Sequence, residues 1–194
     1  TRLVRLREEL KERFRRGDGV ALTYLPSAMK AAAESLREIP IVNSTWKDDQ
    51  IVLKRDVNLG VAVALDDGLV VPVIRNADQL SVTGLAHALA DVVARARAGK
   101  LTVSDVDGGT FTVNNTGAFG SIASQPIINY PQAGIMNVEA IVKRPVVIDD
   151  AIAIRSMVNL CLSFDHRILD GATAGRFLQS VRRRLESWGP GSSV

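Results

Sequence analysis

The sequence predicts a single α+β domain, because segments with helical periodicity and segments with strand-like alternation both occur along its 194 residues. Hydrophobic residues make up 46% of the chain, which is enough to form a sizeable buried core. No internal repeat or linker divides the sequence, and its length lies within the range of one domain. Helices are therefore expected to pack on strands around one core.

The first half of the chain is expected to form two helices, a β-hairpin and a third helix. An alanine-rich helical segment stops before Pro40, and Asp66-Asp67-Gly68 is typical of a hairpin turn. Ser81 is expected to cap the third helix, which Gly99 ends. The predicted elements are helices over 1–16 and 22–37, strands over 58–65 and 69–74, and a helix over 82–98.

The second half is expected to contain three strand segments and a final helix. A loop of glycine and serine, GAFGSIASQ, follows the first of these strands, and the turn Asp149-Asp150 separates the other two. The apolar residues Phe177, Leu178, Val181 and Leu185 form one stripe of the final helix. The predicted elements are strands over 108–116, 133–142 and 151–164, a helix over 170–188, and a frayed tail over 189–193.

Composition excludes several classes of protein. The 24 basic and 21 acidic residues nearly cancel, and aromatic residues are only 5%, so neither nucleic acid nor a membrane is expected as a partner. No run of 18 apolar residues occurs. Two histidines and one cysteine exclude a disulfide framework and zinc sites with several His and Cys ligands, so no metal is expected. A single thiol fits a reducing compartment, the cytoplasm, or the mitochondrial matrix in a eukaryote.

The two histidines differ in their setting. His87 belongs to a polar stripe with Thr83, Asp91 and Arg95, so a solvent-facing role without function is expected. His166 follows a near-continuous apolar strand and precedes a helix, and catalytic residues concentrate on such loops. An imidazole there suits a general base, although spacing alone leaves a plain turn residue equally open.

The segment SFDHRILDGATAGRFL, with HxxxDG from His166 to Gly171, resembles the active-site signature of the dihydrolipoyl acyltransferases, the core subunits of 2-oxo acid dehydrogenase complexes. Other segments in the same order share the resemblance: IPIVN (39–43), GLVVPVI (68–74), GGTFTVNN (108–115), PIINYPQA (126–133) and KRP (143–145). The resemblance covers nearly the whole chain. It implies a chloramphenicol acetyltransferase-like fold, a two-layer sandwich with a mixed sheet.

The resemblance implies acyl transfer between dihydrolipoamide and coenzyme A, with His166 as the general base. Asp170 is expected to hold the active-site turn by hydrogen bonds or an ion pair, and to cap the last helix. Asn114 stands where many relatives have Ser or Thr, and its amide is expected to stabilise the oxyanion. Asn115 is expected to bind substrate. The alternative is that Asn114 and Asn115 merely pair in a turn.

The resemblance also implies partners and cofactors. Lipoate would arrive on a lipoyl domain absent from this chain, and coenzyme A would be a substrate. The decarboxylase and dihydrolipoamide dehydrogenase subunits would share the complex. A homotrimer is expected, with His166 and Asn114 contributed by neighbouring chains. A 24-mer built from such trimers is possible in this family, but the end of the chain, residues 186–194, departs from the family pattern and leaves the larger assembly open.

The expected domain is the acyltransferase catalytic domain over 1–194, without its first strand and helix and without the lipoyl and peripheral-subunit-binding domains. VNNTGAFGS and VNLCLSFDHRILDG most resemble the bacterial branched-chain type. The pyruvate and 2-oxoglutarate types, and a non-catalytic scaffold of the same fold, remain alternatives.

Two further features are expected to be structural. Cys161 lies five residues before His166, which places it on the other side of an extended strand, so a small buried hydrophobic role is favoured over a nucleophile. The run Arg182-Arg183-Arg184 is expected to be a solvated helix face rather than a phosphate site.

Overall fold

A computed structural model describes residues 1–189 and residue 192. The tail predicted over 189–193 therefore falls largely outside the described residues. The helices are α1 (Arg2–Arg13), α2 (Leu25–Glu38), α3 (Val82–Arg97), α4 (Val103–Val106) and α5 (Gly171–Ser187). The strands are β1 (Ser44–Lys47), β2 (Gln50–Leu53), β3 (Leu59–Val61), β4 (Val63–Leu65), β5 (Gly68–Val70), β6 (Val73–Ile74), β7 (Phe111–Asn115), β8 (Gly134–Val138), β9 (Val142–Ile148), β10 (Ala151–Met157) and β11 (Leu160–Phe164).

A mixed five-stranded sheet with the order β11-β8-β7-β3-β6 forms the centre of the fold. Strand β7 runs parallel to both β3 and β8, whereas β11 and β6 run antiparallel to their neighbours at the two edges. Three two-stranded hairpins, β1-β2, β4-β5 and β9-β10, complete the strand pairing. The parallel pairs require crossovers, and α3 lies in the crossover from β3 to β7.

The helices cover one face of this sheet and give the fold two layers. The Phe111 ring of β7 meets the Phe177 ring of α5 edge-on, with 5.4 Å between the ring centroids. Buried residues of α2 and α3, including Met29 and Leu85, belong to the same apolar core. The predicted α+β fold with a two-layer sandwich and a mixed sheet is therefore confirmed.

The predicted helix signals are present in the structure. The Ser81 side chain accepts a hydrogen bond from the Gly84 amide at 3.0 Å, as expected of an N-cap, and Gly99 follows the helix with a positive φ of 63°. In α5, Phe177 and Val181 are fully buried, as the predicted stripe requires. The second helix starts three residues later than predicted, at Leu25.

The five predicted strands have different bounds in the structure. The segment 69–74 divides, because β5 pairs with β4 whereas β6 joins the central sheet. The segment 58–65 is interrupted at Ala62, because β3 stays in the central sheet while β4 pairs with β5. The segment 108–116 forms a strand only from Phe111 to Asn115, since Gly108 has a φ of 77° and a 3-10 turn starts at Thr116. The segments 133–142 and 151–164 each divide, because the chain leaves the central sheet near Ala140 to form the β9-β10 hairpin and returns at Leu160.

One hairpin and one short helix were not predicted. Strands β1 and β2 join at Asp48 and Asp49, which have φ values of 49° and 57°, the left-handed conformation of a tight hairpin turn. The Asp149-Asp150 turn, which was predicted, has the same geometry with φ values of 49° and 59°. Every residue of β2 is exposed, so the hydrophobic alternation that identifies a half-buried strand is missing there. Helix α4 has only four residues.

No helix in the described part of the chain is long and apolar enough to cross a membrane. Within the same residues, no group of three or more His, Cys, Asp and Glu side chains is arranged to hold a metal ion.

Candidate active site

His166 lies on a tight turn between β11 and α5. The Asp165 amide donates a hydrogen bond to the Ala133 carbonyl at 2.8 Å, which ties the start of the turn to the central sheet. The amides of Ile168 and Leu169 both donate to the Asp165 carbonyl at 3.0 Å, and both of their side chains are buried. His166 itself is exposed. The turn therefore presents the imidazole to solvent from a backbone that is fixed at both ends.

An ion pair that the sequence did not reveal stabilises the same turn. The Arg167 guanidinium donates to both carboxylate oxygens of Asp165, with the shortest nitrogen–oxygen distance 2.6 Å. The hydrogen bonds from Arg167 hold the pKa of Asp165 below its ordinary value. The guanidinium also lies over the Trp46 ring of β1, 5.5 Å from its centroid. This contact connects the His166 turn to the unpredicted hairpin.

The His166 imidazole has an aromatic neighbour. Its ring centroid lies 5.4 Å from that of Phe164, and the two planes are tilted by 43°. Within the described residues, no hydrogen bond engages either ring nitrogen. The exposed His166 side chain therefore has no hydrogen-bond partner among the described residues.

Asp170 performs one of its two expected structural roles. Its carboxylate accepts a hydrogen bond from the Thr173 amide at 2.7 Å and caps α5. The hydrogen bond from the Thr173 amide is the main reason that the pKa of Asp170 is lowered, and the Thr173 hydroxyl and the charge of Arg176 add to the effect. In the described residues the arginine ion pair of this segment belongs to Asp165, not to Asp170.

Asp170→Ala is expected to lower the melting temperature, because the Thr173 amide loses its acceptor. Asp170→Asn is expected to lower it less than Asp170→Ala at neutral pH, since the asparagine oxygen still caps the helix but carries no charge. The folded-state pKa of Asp170 lies below 3.8, so its charge stabilises the fold above that pH. This contribution is lost as the pH falls through the folded-state pKa. Thermal unfolding from pH 7 to pH 3 measures both effects, and equal melting temperatures for the two variants would contradict the capping role.

Asn114 and Asn115 end strand β7 and have different environments. The Asn115 side-chain oxygen accepts a hydrogen bond from the Ala118 amide at 3.2 Å and caps the 3-10 turn that starts at Thr116. The Asn114 side chain is half-buried. Among the described residues, its side-chain amide makes no hydrogen bond. The two side chains point to opposite faces of the sheet, because they are consecutive in a strand. They therefore do not pair with each other, and Asn114 keeps its donors free.

His166 and Asn114 do not meet within one chain. Asn114 pairs with Asn137, which pairs with Cys161, whereas His166 lies beyond the far end of β11. Two strand spacings and three residues of β11 separate Asn114 from Phe164, a distance of about 14 Å between Cα atoms, and His166 lies further along the chain. Within one chain the two side chains therefore do not lie in one site.

A buried carboxylate holds the loop that follows Asn115. Glu139 is 2% exposed, and its oxygens accept hydrogen bonds from the hydroxyls of Thr116 at 2.8 Å and of Ser124. Burial raises its pKa, but hydrogen bonds from Ser121, Ser124, Thr116 and the Cys161 thiol outweigh burial, so the pKa lies below its ordinary value. Glu139 therefore stays ionised and fixes the loop. Sequence reasoning did not identify it, because the donors are distant along the chain.

Gly117→Ala is expected to destabilise the same loop. A Cβ atom at Gly117 would lie 2.3 Å from the backbone carbonyl carbon of Glu139, so the backbone must shift. We expect the free energy of unfolding to fall by about 1–3 kcal/mol. Gly175→Ala is the matched control, because a Cβ atom in that helix meets nothing within 4 Å, and it is expected to raise stability by about 0.5–1 kcal/mol. Denaturant unfolding compares them, and a neutral Gly117→Ala would contradict the close packing.

A cavity of about 320 Å³ lies beside the strand end that supports the His166 turn. Pro131 and Gln132, which line it, lead directly into Ala133, whose carbonyl binds the Asp165 amide. The lining contains both cationic and anionic side chains, including Lys54, Arg55 and Asp56.

His87, the arginine run 182–184 and Cys161 lie outside the candidate active site. His87 is exposed on α3, as predicted. Arg182 and Arg183 are exposed on α5, as predicted, whereas Arg184 is half-buried. Arg183 and Arg184 both pair with Glu38 of α2, each at 3.1 Å. Cys161 is half-buried beside Glu139 rather than fully buried among apolar groups, so the expected apolar environment was wrong.

Comparison with known proteins identifies one family. The family model described as 2-oxoacid dehydrogenases acyltransferase (catalytic domain) matches residues 1–190. A lipoamide acyltransferase component of the branched-chain alpha-keto acid dehydrogenase complex from Bacillus subtilis is 51% identical over all of this chain and 46% of its own length. A succinyltransferase component of the 2-oxoglutarate dehydrogenase complex from Bartonella vinsonii is 46% identical over 93% of this chain and 44% of its own length. The chain thus spans about half the length of these curated relatives.

Solved structures have the same fold. A probable dihydrolipoamide acetyltransferase from Listeria monocytogenes superposes with a TM-score of 0.98 at 50% identity, covering all of this chain and 83% of that one. Chloramphenicol acetyltransferase superposes with a TM-score of 0.53 at 12% identity, over 90% of this chain and 82% of that one. The second match shows the fold alone, and it agrees with the two-layer, mixed-sheet architecture.

Proposed function

The chain belongs to the family of 2-oxoacid dehydrogenase acyltransferase catalytic domains, and from this membership we propose that it transfers an acyl group between dihydrolipoamide and coenzyme A. The observation that carries the proposal is His166 itself. An exposed imidazole lies on a turn fixed to the sheet by Asp165 and followed by a helix that Asp170 caps. A rigidly held imidazole open to solvent is suited to take a proton from a thiol that arrives from outside.

The chemistry requires a base because a thiol is a weak nucleophile until it is deprotonated, and a free thiol has a pKa of about 8.5. His166 removes the proton as the sulfur attacks the thioester carbonyl. The tetrahedral intermediate then collapses, the imidazolium returns the proton, and the second thiol departs. No acyl-enzyme forms, because both reacting sulfurs belong to substrates. Cys161 takes no part, since it lies beside Glu139.

Asn114 supplies the oxyanion donor from a neighbouring chain. The separation of His166 and Asn114 along and across the sheet supports a site formed between two subunits. The free amide of Asn114 supports its role as donor, because a hydrogen bond aimed at the developing negative charge is worth most in a preorganised site. A homotrimer with three such sites is the assembly that we propose, and Asn115 binds substrate at the same boundary.

The acyl group that we propose is the branched-chain type. Its support is the 51% identity to the branched-chain component from Bacillus subtilis. A succinyl or acetyl preference is the second candidate, because the succinyltransferase component from Bartonella vinsonii is 46% identical and the acetyltransferase from Listeria monocytogenes is 50% identical. Lipoyl domains, the decarboxylase and dihydrolipoamide dehydrogenase are the partners that such a transferase requires.

The testing experiment is an acyl-transfer assay of this chain with free dihydrolipoamide and each of acetyl-, isobutyryl- and succinyl-coenzyme A. We expect thioester formation on dihydrolipoamide, with isobutyryl-coenzyme A giving the highest kcat/KM. A higher value for one of the other donors would reassign the acyl group. No transfer from any donor, by a folded and assembled protein, would instead favour a non-catalytic core of the same fold.

A further inference from the structure

A row of three side chains crosses the sheet on the face away from the helices. Asn114 of β7, Asn137 of β8 and Cys161 of β11 are direct partners in the register, so their side chains lie on the same face at neighbouring positions. Asn137 occupies the middle of the row and is 1% exposed. An amide buried to this degree requires partners for both its N–H groups and its oxygen.

The orientation of the Asn137 amide is set by the buried carboxylate described above. Its Nδ2 donates to the Ser124 Oγ at 2.6 Å, and the Ser124 hydroxyl in turn donates to Glu139. Because Glu139 can only accept while it is ionised, the direction of both hydrogen bonds is fixed. The Asn137 oxygen therefore points away from Ser124. It is buried, and among the described residues it has no hydrogen-bond partner.

Neighbouring donors are engaged elsewhere, with one exception. Thr116 donates to Glu139, and Thr112, two residues before Asn114 on β7, donates to Gln132 at 2.6 Å. The Cys161 thiol also interacts with Glu139. In this row, one side-chain N–H of Asn137 binds Ser124, whereas among the described residues neither of the two side-chain N–H groups of Asn114 has a partner.

We propose that Asn137 is a positioning residue for Asn114: the Asn137 oxygen accepts a hydrogen bond from one N–H of the Asn114 amide in the assembled site, and this leaves the second N–H for the thioester oxyanion. This inference rests on the proposed function. A hydroxyl at position 114 has a single hydrogen to donate, whereas an amide can be held and can donate at the same time. The hydrogen-bonded series Glu139–Ser124–Asn137 thus orients the side-chain amide of Asn114 before substrate binds.

A double-mutant cycle tests this inference. Asn114→Ala, Asn137→Ala and the double variant are assayed with dihydrolipoamide and the fastest of the three acyl donors. We expect Asn137→Ala to lower kcat about tenfold with little change in KM, because a misdirected donor weakens the transition state and not ground-state binding. In the Asn114→Ala background, the same substitution is expected to change kcat by less than about twofold.

Asn159→Ala is the matched control, because the Asn159 side chain donates to the Ile122 carbonyl at 2.7 Å and so holds the same loop without lying in the row. Its effect on kcat is expected to be the same in both backgrounds. Asn137→Leu keeps the side-chain volume and replaces Asn137→Ala if that variant fails to unfold cooperatively.

Losses of kcat that multiply between positions 114 and 137 would overturn the inference and leave Asn137 a purely structural residue. That outcome, with an active wild-type protein, leaves the proposed function intact. A wild-type protein without transferase activity would overturn the proposed function, and this inference with it.

Discussion

Replacing His166 by alanine is expected to lower kcat about 10³-fold while changing KM for the acyl-coenzyme A little, because a general base contributes typically about 10²–10⁴ to the rate. The imidazole lies exposed on a turn whose ends are fixed, so its removal leaves the fold intact. Steady-state kinetics with dihydrolipoamide and an acyl-coenzyme A measure the loss, and thermal unfolding checks stability.

His87→Ala is the matched control for this experiment. The sequence contains two histidines, His87 and His166. His87 is exposed on α3, a helix that carries none of the proposed site residues. We expect wild-type kcat and KM from His87→Ala. A His166→Ala variant that keeps more than about a tenth of wild-type kcat would contradict the assignment of the base.

Asn114→Ala is the second substitution with a large expected effect. Loss of one oxyanion donor typically lowers kcat about 10²–10³-fold, and KM for the acyl-coenzyme A should rise far less, since the interaction strengthens only in the transition state. Asn114 is half-buried at the end of β7, and its amide is free among the described residues. Steady-state kinetics again separate the two parameters.

Asn114→Ser provides the comparison, because a hydroxyl at this position can still donate one hydrogen bond to the oxyanion. Asn114→Ser is therefore expected to lie between the wild-type protein and Asn114→Ala in kcat. Unchanged kcat in Asn114→Ala would contradict the donor role. It would leave Asn114 as a strand residue without a catalytic role.

Local signals predicted those parts of the fold that depend on neighbouring residues. The caps of Ser81 and Asp170 and the stripe of α5 follow from spacing within one or two turns of helix, and the structure has all three. Hairpin β1-β2 was missed because the exposed residues of β2 give no alternating pattern. The divided strands were missed because apolar residues continue through Ala140 and Val158, where the chain leaves and re-enters the central sheet.

In the candidate site, too, the sequence predicts what neighbouring residues determine and misses what depends on distant contacts. His166 and Asp170 lie in one short motif, and the structure places both at the turn that the motif predicts. The surroundings of Asn114 depend instead on contacts between distant parts of the chain. Glu139 binds Thr116 and Ser124, and Ser124 binds Asn137, through pairings that only the folded sheet and its loop establish. No local pattern in the sequence contains them.

In the proposed assembly two chains form each site, one with His166 and the other with Asn114. Its most direct test is the activity of an assembly made by co-expressing His166→Ala and Asn114→Ala chains in equal amounts. Each variant alone is expected to be nearly inactive. Random mixing in a trimer pairs an intact His166 with an intact Asn114 at about a quarter of the sites, so about a quarter of wild-type turnover should return. A mixed assembly no more active than the separate variants would contradict the claim.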